Sequence, residues 1–235
     1  MPVHPAWVWR LMPIAAVTFD ATGTLLHLEP PAPILTDLLA DAGFSYPTHH
    51  VAAALDVEMR HFREHLQRGC DAAGLGALRA QCGAVLAQAL GPGAPPAPLA
   101  TDLLVQCMGF RLYDDVVPVL DTLSDLGIVM GVVSNWDFTL PRRLADLGVA
   151  DRFDVITASA AVGVRKPDPA IFRTTLDAMG ISADQALHVG DRQREDVEGA
   201  RAAGLTSLLL DRSAAPERDD EVITTLLQIP GHLRD

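Results

Sequence analysis

The chain has 235 residues, is 49% hydrophobic and carries a formal net charge of −12. That length and apolar fraction can bury one sizeable core, or one core with an inserted unit. An acidic field repels phosphate backbones and anionic lipid, and 5% aromatic content offers little for base stacking, so nucleic acid and membrane surfaces are excluded as expected partners.

The first eleven residues hold Trp7 and Trp9 but a single base, Arg10, placed after the apolar part. That order does not fit a signal peptide, and Met12 is an alternative start. Ile14–Phe19 (IAAVTF) reads as a buried strand ending at Asp20. From about residue 31 the pattern turns helical. Ile34–Ala42, His49–Gln67, Leu75–Leu90 and Ala100–Phe110 repeat apolar residues at three-to-four spacing, and the Gly- and Pro-rich run 91–98 breaks the third from the fourth. Strands and helices then alternate. Ile128–Val133, Phe153–Thr157, Ala186–Val189 and Thr206–Leu210 read as strands; Val116–Leu126, Leu140–Leu147, Pro169–Met179 and Asp196–Ala203 read as helices. Glu221–Gln228 reads as a last helix.

The alternation implies an α/β fold: a Rossmann-like parallel sheet with helices on both faces. A helical cap is inserted into it. The expected division is a core of 1–28 and 112–235 and a cap of 29–111, with hinges near Leu28–Pro33 and Gly109–Asp114. Three cysteines (Cys70, Cys82, Cys107), with no C-x-x-C spacing, argue against a disulfide framework or zinc site and fit a reducing cytoplasm. No apolar run reaches the ~18 residues that span a bilayer.

In such sheets ligands bind at the carboxyl ends of the strands. The polar residues there are Asp20, Ser134 with Asn135, and Asp191; Lys166 precedes a helix. Lys166 is the single lysine beside 17 arginines. These segments resemble the four motifs of the haloacid dehalogenase superfamily: Asp20-Ala21-Thr22-Gly23-Thr24-Leu25, Ser134-Asn135, Lys166-Pro167-Asp168-Pro169, and Gly190-Asp191 followed by Asp196. Gly199–Gly204 also resembles the family. The likeness covers about 14–28 and 112–212, and is nearest the subgroup named for a fly rhythmically expressed gene.

The resemblance implies a Mg²⁺-dependent hydrolase of a small phosphorylated metabolite. Asp20 would be the nucleophile that forms an aspartyl-phosphate. Asp20, the Thr22 carbonyl, Asp191 and Asp196 would hold the metal, since clustered carboxylates repel one another without a cation. Lys166 would balance charge on Asp20 and the phosphoryl oxygens, Ser134 would bind a phosphoryl oxygen, and Thr24 and Asn135 would contact substrate. His61 and His65, four apart, read as solvent-facing, as do Arg60, Arg63 and Arg68. Trp136 reads as packing and Asp137 as a cap.

Thr22 stands where the family's phosphatases carry a second Asp, whose acid–base help is worth on the order of 10²–10⁴-fold. Three readings follow. The first is a phosphatase, slow or suited to good leaving groups, with Asp137 or Glu29 as substitute acids. The second is a metal-free 2-haloacid dehalogenase, which the Asp191/Asp196 pair counts against. The third is a non-enzymatic sensor of a phosphorylated ligand. A Schiff-base phosphonate hydrolase is excluded, because the cap contains no lysine. Arg192 is a further departure, facing either substrate or solvent.

Overall fold

The computed structural model describes residues 14–214 and 221–233. The expectations for residues 1–12 therefore lie outside the described residues. A parallel six-stranded sheet runs in the order β5-β4-β1-β6-β7-β8. Its strands are β1 (Ala16–Phe19), β4 (Val129–Ser134), β5 (Val155–Ala158), β6 (Ala186–Gly190), β7 (Thr206–Leu210) and β8 (Val222–Ile223). β1 lies at the centre, with Phe19 opposite Val132 on one side and Val189 on the other. The chain moves one way from β1 to β4 and the other way to β6. That reversal opens a crevice beyond the strand ends, where ligands bind in such sheets.

Both sheet faces are buried, as continuous apolar strands require. On one face Val17, Phe19, Val132 and Val189 meet α5 (Val116–Asp125), α6 (Leu140–Asp146) and the C-terminal turn. On the other, Val133 and Ala186 meet α8 (Pro169–Met179) and α9 (Gly199–Ala203) through Phe172, Leu176 and Ala200. A short helix, α7 (Ser159–Val162), follows β5.

Four helices lie between β1 and the rest of the sheet: α1 (Pro31–Asp41), α2 (Thr48–His65), α3 (Ala72–Leu90) and α4 (Ala97–Cys107). Each packs on two others, in the ring α1-α2-α3-α4. They share their own apolar cluster, including Leu39, Val51, Leu55, Leu78 and Leu86.

Two differences from the sequence reading are physical. Leu26–Leu28 (β2) and Phe110–Leu112 (β3) form an antiparallel ribbon where the helical insert enters and leaves; β3 lies inside the second expected hinge, and β2 meets the first only at Leu28. Three residues are too few to show a period. The tail expected as a helix over Glu221–Gln228 is instead the edge strand β8 followed by a 3₁₀ segment, Leu226–Leu233. Leu209 N–H donates to the Glu221 carbonyl and Asp211 N–H to the Ile223 carbonyl, so the sheet edge takes this segment's main chain. Pro230 does not suit an α-helix interior.

Candidate active site

The first motif is a reversal fixed by main-chain bonds. Asp20 N–H donates to the Val189 carbonyl at 2.9 Å, which ties the end of β1 to β6. Leu25 and Leu26 N–H both return to the Ala21 carbonyl, at 2.9 and 2.7 Å. Gly23 takes φ +89°, and a Cβ there would collide with the Asp191 carboxylate. The position therefore requires glycine for conformation and for space. Thr22 sits exposed at the tip of the reversal and lines the cavity described below. Thr24, expected at the substrate, turns the other way. It is fully buried and outside the cavity lining, its hydroxyl has no partner among the described residues, and its carbonyl accepts from Arg212 Nη2 at 2.8 Å.

Lys166 is the hub. Its side chain is 2% exposed, and Nζ lies 2.6 Å from Asp20 Oδ1 and 2.5 Å from Asp196 Oδ1. Ser134 Oγ donates to the same Asp20 oxygen at 3.1 Å. Asn135 holds the lysine's main chain from both ends: Oδ1 accepts from Lys166 N–H at 2.8 Å, and Nδ2 donates to its carbonyl at 3.1 Å. Asn135 also lines the cavity, but its amide is already engaged. Asp196 sits in a π-helical turn, Gln193–Glu198, and its Oδ2 accepts from Arg192 N–H at 2.9 Å. The sequence reading began a helix at Asp196; the wider turn ahead of α9 aims this carboxylate inward. The structure thus brings Asp20, Ser134, Asn135, Lys166, Asp191 and Asp196 together and leaves Thr24 outside.

The electrostatics follow from one ammonium shared by two carboxylates. Burial raises Asp20 despite the attraction of Lys166, and Asp196 adds repulsion. Asp196 is held well below the usual carboxylate range: burial opposes this, but Lys166 and His188 outweigh it. Lys166 is raised, because the two carboxylates outweigh its burial. Asp191 is pushed up to about 6, first by burial and then by Asp20 and Asp196.

Asp20, Asp191 and Asp196 each offer a ligand oxygen within 4.8 Å of the others. Asp191 Oδ1 is buried with no hydrogen-bond partner among the described residues. An orphaned buried oxygen facing two further carboxylates is unfavourable as it stands. This donor set fits a hard divalent cation such as Mg²⁺.

Sequence reasoning missed His188. It is fully buried, with Nδ1 2.9 Å from Thr18 Oγ1 and Nε2 3.4 Å from Asp196 Oδ1, and its ring meets Phe172 edge-on. Burial lowers its pKa, favouring the neutral ring. The available signal was a polar residue inside an otherwise apolar strand, with Thr18 at the matching place in β1.

A cavity of about 320 Å³ opens over these residues and continues between the sheet edge and helices α2, α3 and α4. Its walls include Arg63, Arg79, Arg143, Arg165 and Arg192. Arg63 was read as solvent-facing; it is exposed and also borders the cavity. Arg192 does the same, which resolves its two expected directions. Trp136 packs on Phe110 with ring centroids 5.0 Å apart and also lines the space. Asp137 borders the cavity while its Oδ1 accepts from Thr139 N–H at 2.8 Å. Glu29 lies outside the lining, its N–H bonded to the Gly109 carbonyl at 3.0 Å. His61 and His65, expected to face solvent, are half-buried, with ring centroids 4.2 Å apart at a 30° tilt and His61 Nε2 buried; both lie outside the lining.

A doubly covered parallel sheet with carboxylates and a lysine at its switch point defines a Rossmann-like α/β protein with its site at the strand ends. The chain belongs to the haloacid dehalogenase-like hydrolases, whose family model matches residues 14–204. It is 35% identical over 109 residues to a phosphoserine phosphatase of Thermus thermophilus, covering 46% of this chain and 44% of that protein. It is 31% identical over 133 residues to a glyceraldehyde 3-phosphate phosphatase of Methanopyrus kandleri, covering 52% and 55%. The alignments span about half the length of these curated relatives. Among solved structures, a 2-haloacid dehalogenase of Pseudomonas syringae is 26% identical, with TM-score 0.63 and coverage of 93% and 97%. A Bacillus subtilis HAD-hydrolase solved bound to magnesium shares the fold at TM-score 0.73 and 18% identity, with coverage of 95% and 100%. No helix among the described residues is long and apolar enough to cross a membrane.

Proposed function

We propose that the chain is a phosphoric monoester hydrolase that acts on a small phosphorylated metabolite with Asp20 as nucleophile. The observation that carries this reading is the grouping of Asp20, Asp191 and Asp196, with Lys166 bonded to Asp20 and Asp196 where these three residues line the cavity. Asp20 attacks phosphorus and the bond to the leaving oxygen breaks, giving an aspartyl-phosphate. Lys166 and Ser134, already bonded to Asp20, are placed to take the phosphoryl oxygens. Water then attacks phosphorus and frees Asp20. Asp20, Asp191, Asp196 and the Thr22 carbonyl would hold Mg²⁺, which would neutralise the charge that otherwise keeps two anions apart. The leaving oxygen requires a proton that Thr22 cannot supply, so good leaving groups are favoured. Helices α1–α4, residues 29–111, act as a cap over the site in this reading.

The relatives named as phosphatases support this reading, within the half of their length that aligns. The 2-haloacid dehalogenase neighbour favours a second reading. Three carboxylates with ligand oxygens within 4.8 Å of one another argue against it, because carbon–halogen displacement needs no cation there.

The deciding experiment incubates the protein with an aryl phosphate, with and without Mg²⁺, and with 2-chloropropionate without metal. Mg²⁺-dependent phosphate release that Asp20→Asn abolishes is the expected result. Metal-free halide release would establish the dehalogenase instead. Neither activity, with vanadate still bound, would establish a phospho-ligand sensor.

A further inference from the structure

Glu58 is the charged side chain of α1–α4 that lies buried among the described residues, at 4% exposed. A buried carboxylate normally carries a cationic partner, because desolvation of an unpaired charge is costly. Glu58 forms no ion pair among the described residues. Its polar neighbour is the Cys82 thiol. Burial pushes both the Glu58 carboxyl and the Cys82 thiol up. Neither group is therefore a nucleophile or a satisfied salt bridge.

The carboxyl lines the same cavity as Asp20 and Lys166. Glu58, Phe62 and Leu66 recur every four residues along α2 and its end, so one helix face is turned to this space. On the adjoining α3, Arg79 stands one turn from Cys82, and both line the cavity. The half-buried Arg79 guanidinium forms no hydrogen bond or ion pair among the described residues. A carboxyl group and a guanidinium thus border one cavity from two helices that pack together, and are not joined to each other. A neutral polyol would leave both unmatched, and a dicarboxylate would be repelled by Glu58.

Resting on the phosphatase reading, we propose that the cap end of the cavity is a zwitterion subsite. It selects phosphate esters whose alcohol carries both an ammonium and a carboxylate, with Glu58 taking the ammonium and Arg79 the carboxylate. The phosphoryl group then lies at Asp20 and the amino-acid end at the cap. The guanidinium of Arg63, also on the wall and electrostatically coupled to Glu58, adds to the pull on the substrate carboxylate.

Four esters separate the two charges. O-Phosphoserine has both, 3-phosphoglycerate lacks the ammonium, phosphoethanolamine lacks the carboxylate and glycerol 3-phosphate lacks both. With Mg²⁺ present, kcat/KM for O-phosphoserine should exceed that for each single-charge ester by about ten- to a hundredfold, as loss of a charge-assisted bond implies. Glu58→Gln should bring the ratio of O-phosphoserine to 3-phosphoglycerate toward one. Arg79→Gln should do so for the ratio of O-phosphoserine to phosphoethanolamine. The wild-type ranking decides by itself if either variant fails to fold. A wild-type protein that hydrolyses an aryl phosphate but ranks the four esters equally overturns the subsite alone, as does a Glu58→Gln variant with an unchanged ratio. Inertness toward all five compounds, with and without Mg²⁺, overturns the phosphatase reading and the subsite with it.

Discussion

At the scale of single residues, two positions carry opposite departures from the chain's habits. Arginine serves at 17 positions, yet lysine stands at 166. The site accounts for this: one compact ammonium, 2% exposed, touches Asp20 and Asp196 at 2.6 and 2.5 Å, a contact that a forked, planar guanidinium makes less well. Lys166→Arg should lower kcat for aryl phosphate by about a hundredfold or more, the scale of losing one preorganised donor. The circular dichroism spectrum should not change; an unaltered rate would remove Lys166 from the chemistry. Thr22 is the other departure. It is exposed at the tip of the reversal, so a carboxylate placed there costs little desolvation. Thr22→Asp should raise kcat on alkyl phosphates by about a hundredfold, the lower end of the ~10²–10⁴ that acid–base catalysis supplies, and raise it less on aryl phosphates, whose leaving groups need no proton. An equal effect on both classes would show that proton supply is not what Thr22 limits, and would turn attention to Asp137 on the cavity wall.

At the scale of elements, the first motif is braced from outside the sheet. Arg212 donates to both Asp115 carboxylate oxygens, at 2.8 and 3.0 Å, and to the Thr24 carbonyl at 2.8 Å, and its guanidinium lies 3.8 Å from the Tyr113 ring centroid. Asp115 also accepts from Thr225 Oγ1 and Leu226 N–H, and these bonds hold it below its ordinary range against the effect of burial. One guanidinium thus joins the motif reversal, the start of α5 and the C-terminal turn. Arg212→Ala should cost ~3 kcal/mol, as removal of one partner from a partly buried pair does, and lower Tm by about 6–12 °C. Arg212→Lys should restore only part of the loss; full restoration would mean that the planar, two-pronged contact is not what matters. Long elements were legible in the sequence because their periods repeat: Pro169–Met179 and Thr206–Leu210 begin and end where the apolar pattern does. The site was legible because each strand-end polar residue stood at a motif position. What escaped was set by tertiary contact. The β2–β3 ribbon is three residues a side, β8 is fixed by the edge of β7, and His188 acquires meaning only beside Thr18 and Asp196.

At the scale of the whole molecule, charge couples the site to folding. The chain carries −12, and three of its carboxylates are gathered at one point. Asp191 titrates at about 6 in the fold against an ordinary value of 3.8. Between those values the folded chain binds more protons than the unfolded one, so this group's contribution to stability falls as pH rises and is least above 6. Asp20, also raised, acts in the same sense. Asp196 acts oppositely, but its depressed carboxyl loses the stability given by Lys166 only on acidification below 3.8. Across pH 4–6 the raised groups therefore govern the site's share of the pH dependence, and metal-free protein gains from them on acidification. A divalent cation competes with those protons and stabilises the folded state in proportion to its affinity. The rise in Tm on adding Mg²⁺ should accordingly be small at pH 5 and grow through pH 6 to a plateau above 7. Asp191→Asn should remove most of that rise. A Mg²⁺ effect independent of pH, or larger at pH 5, would mean that the ion binds elsewhere on the acidic surface. Loss of the effect in Asp191→Asn alone, with Asp20→Asn unaffected, would place the ion on the Asp191 side of the cluster and leave Lys166 as the chief counter-charge for Asp20.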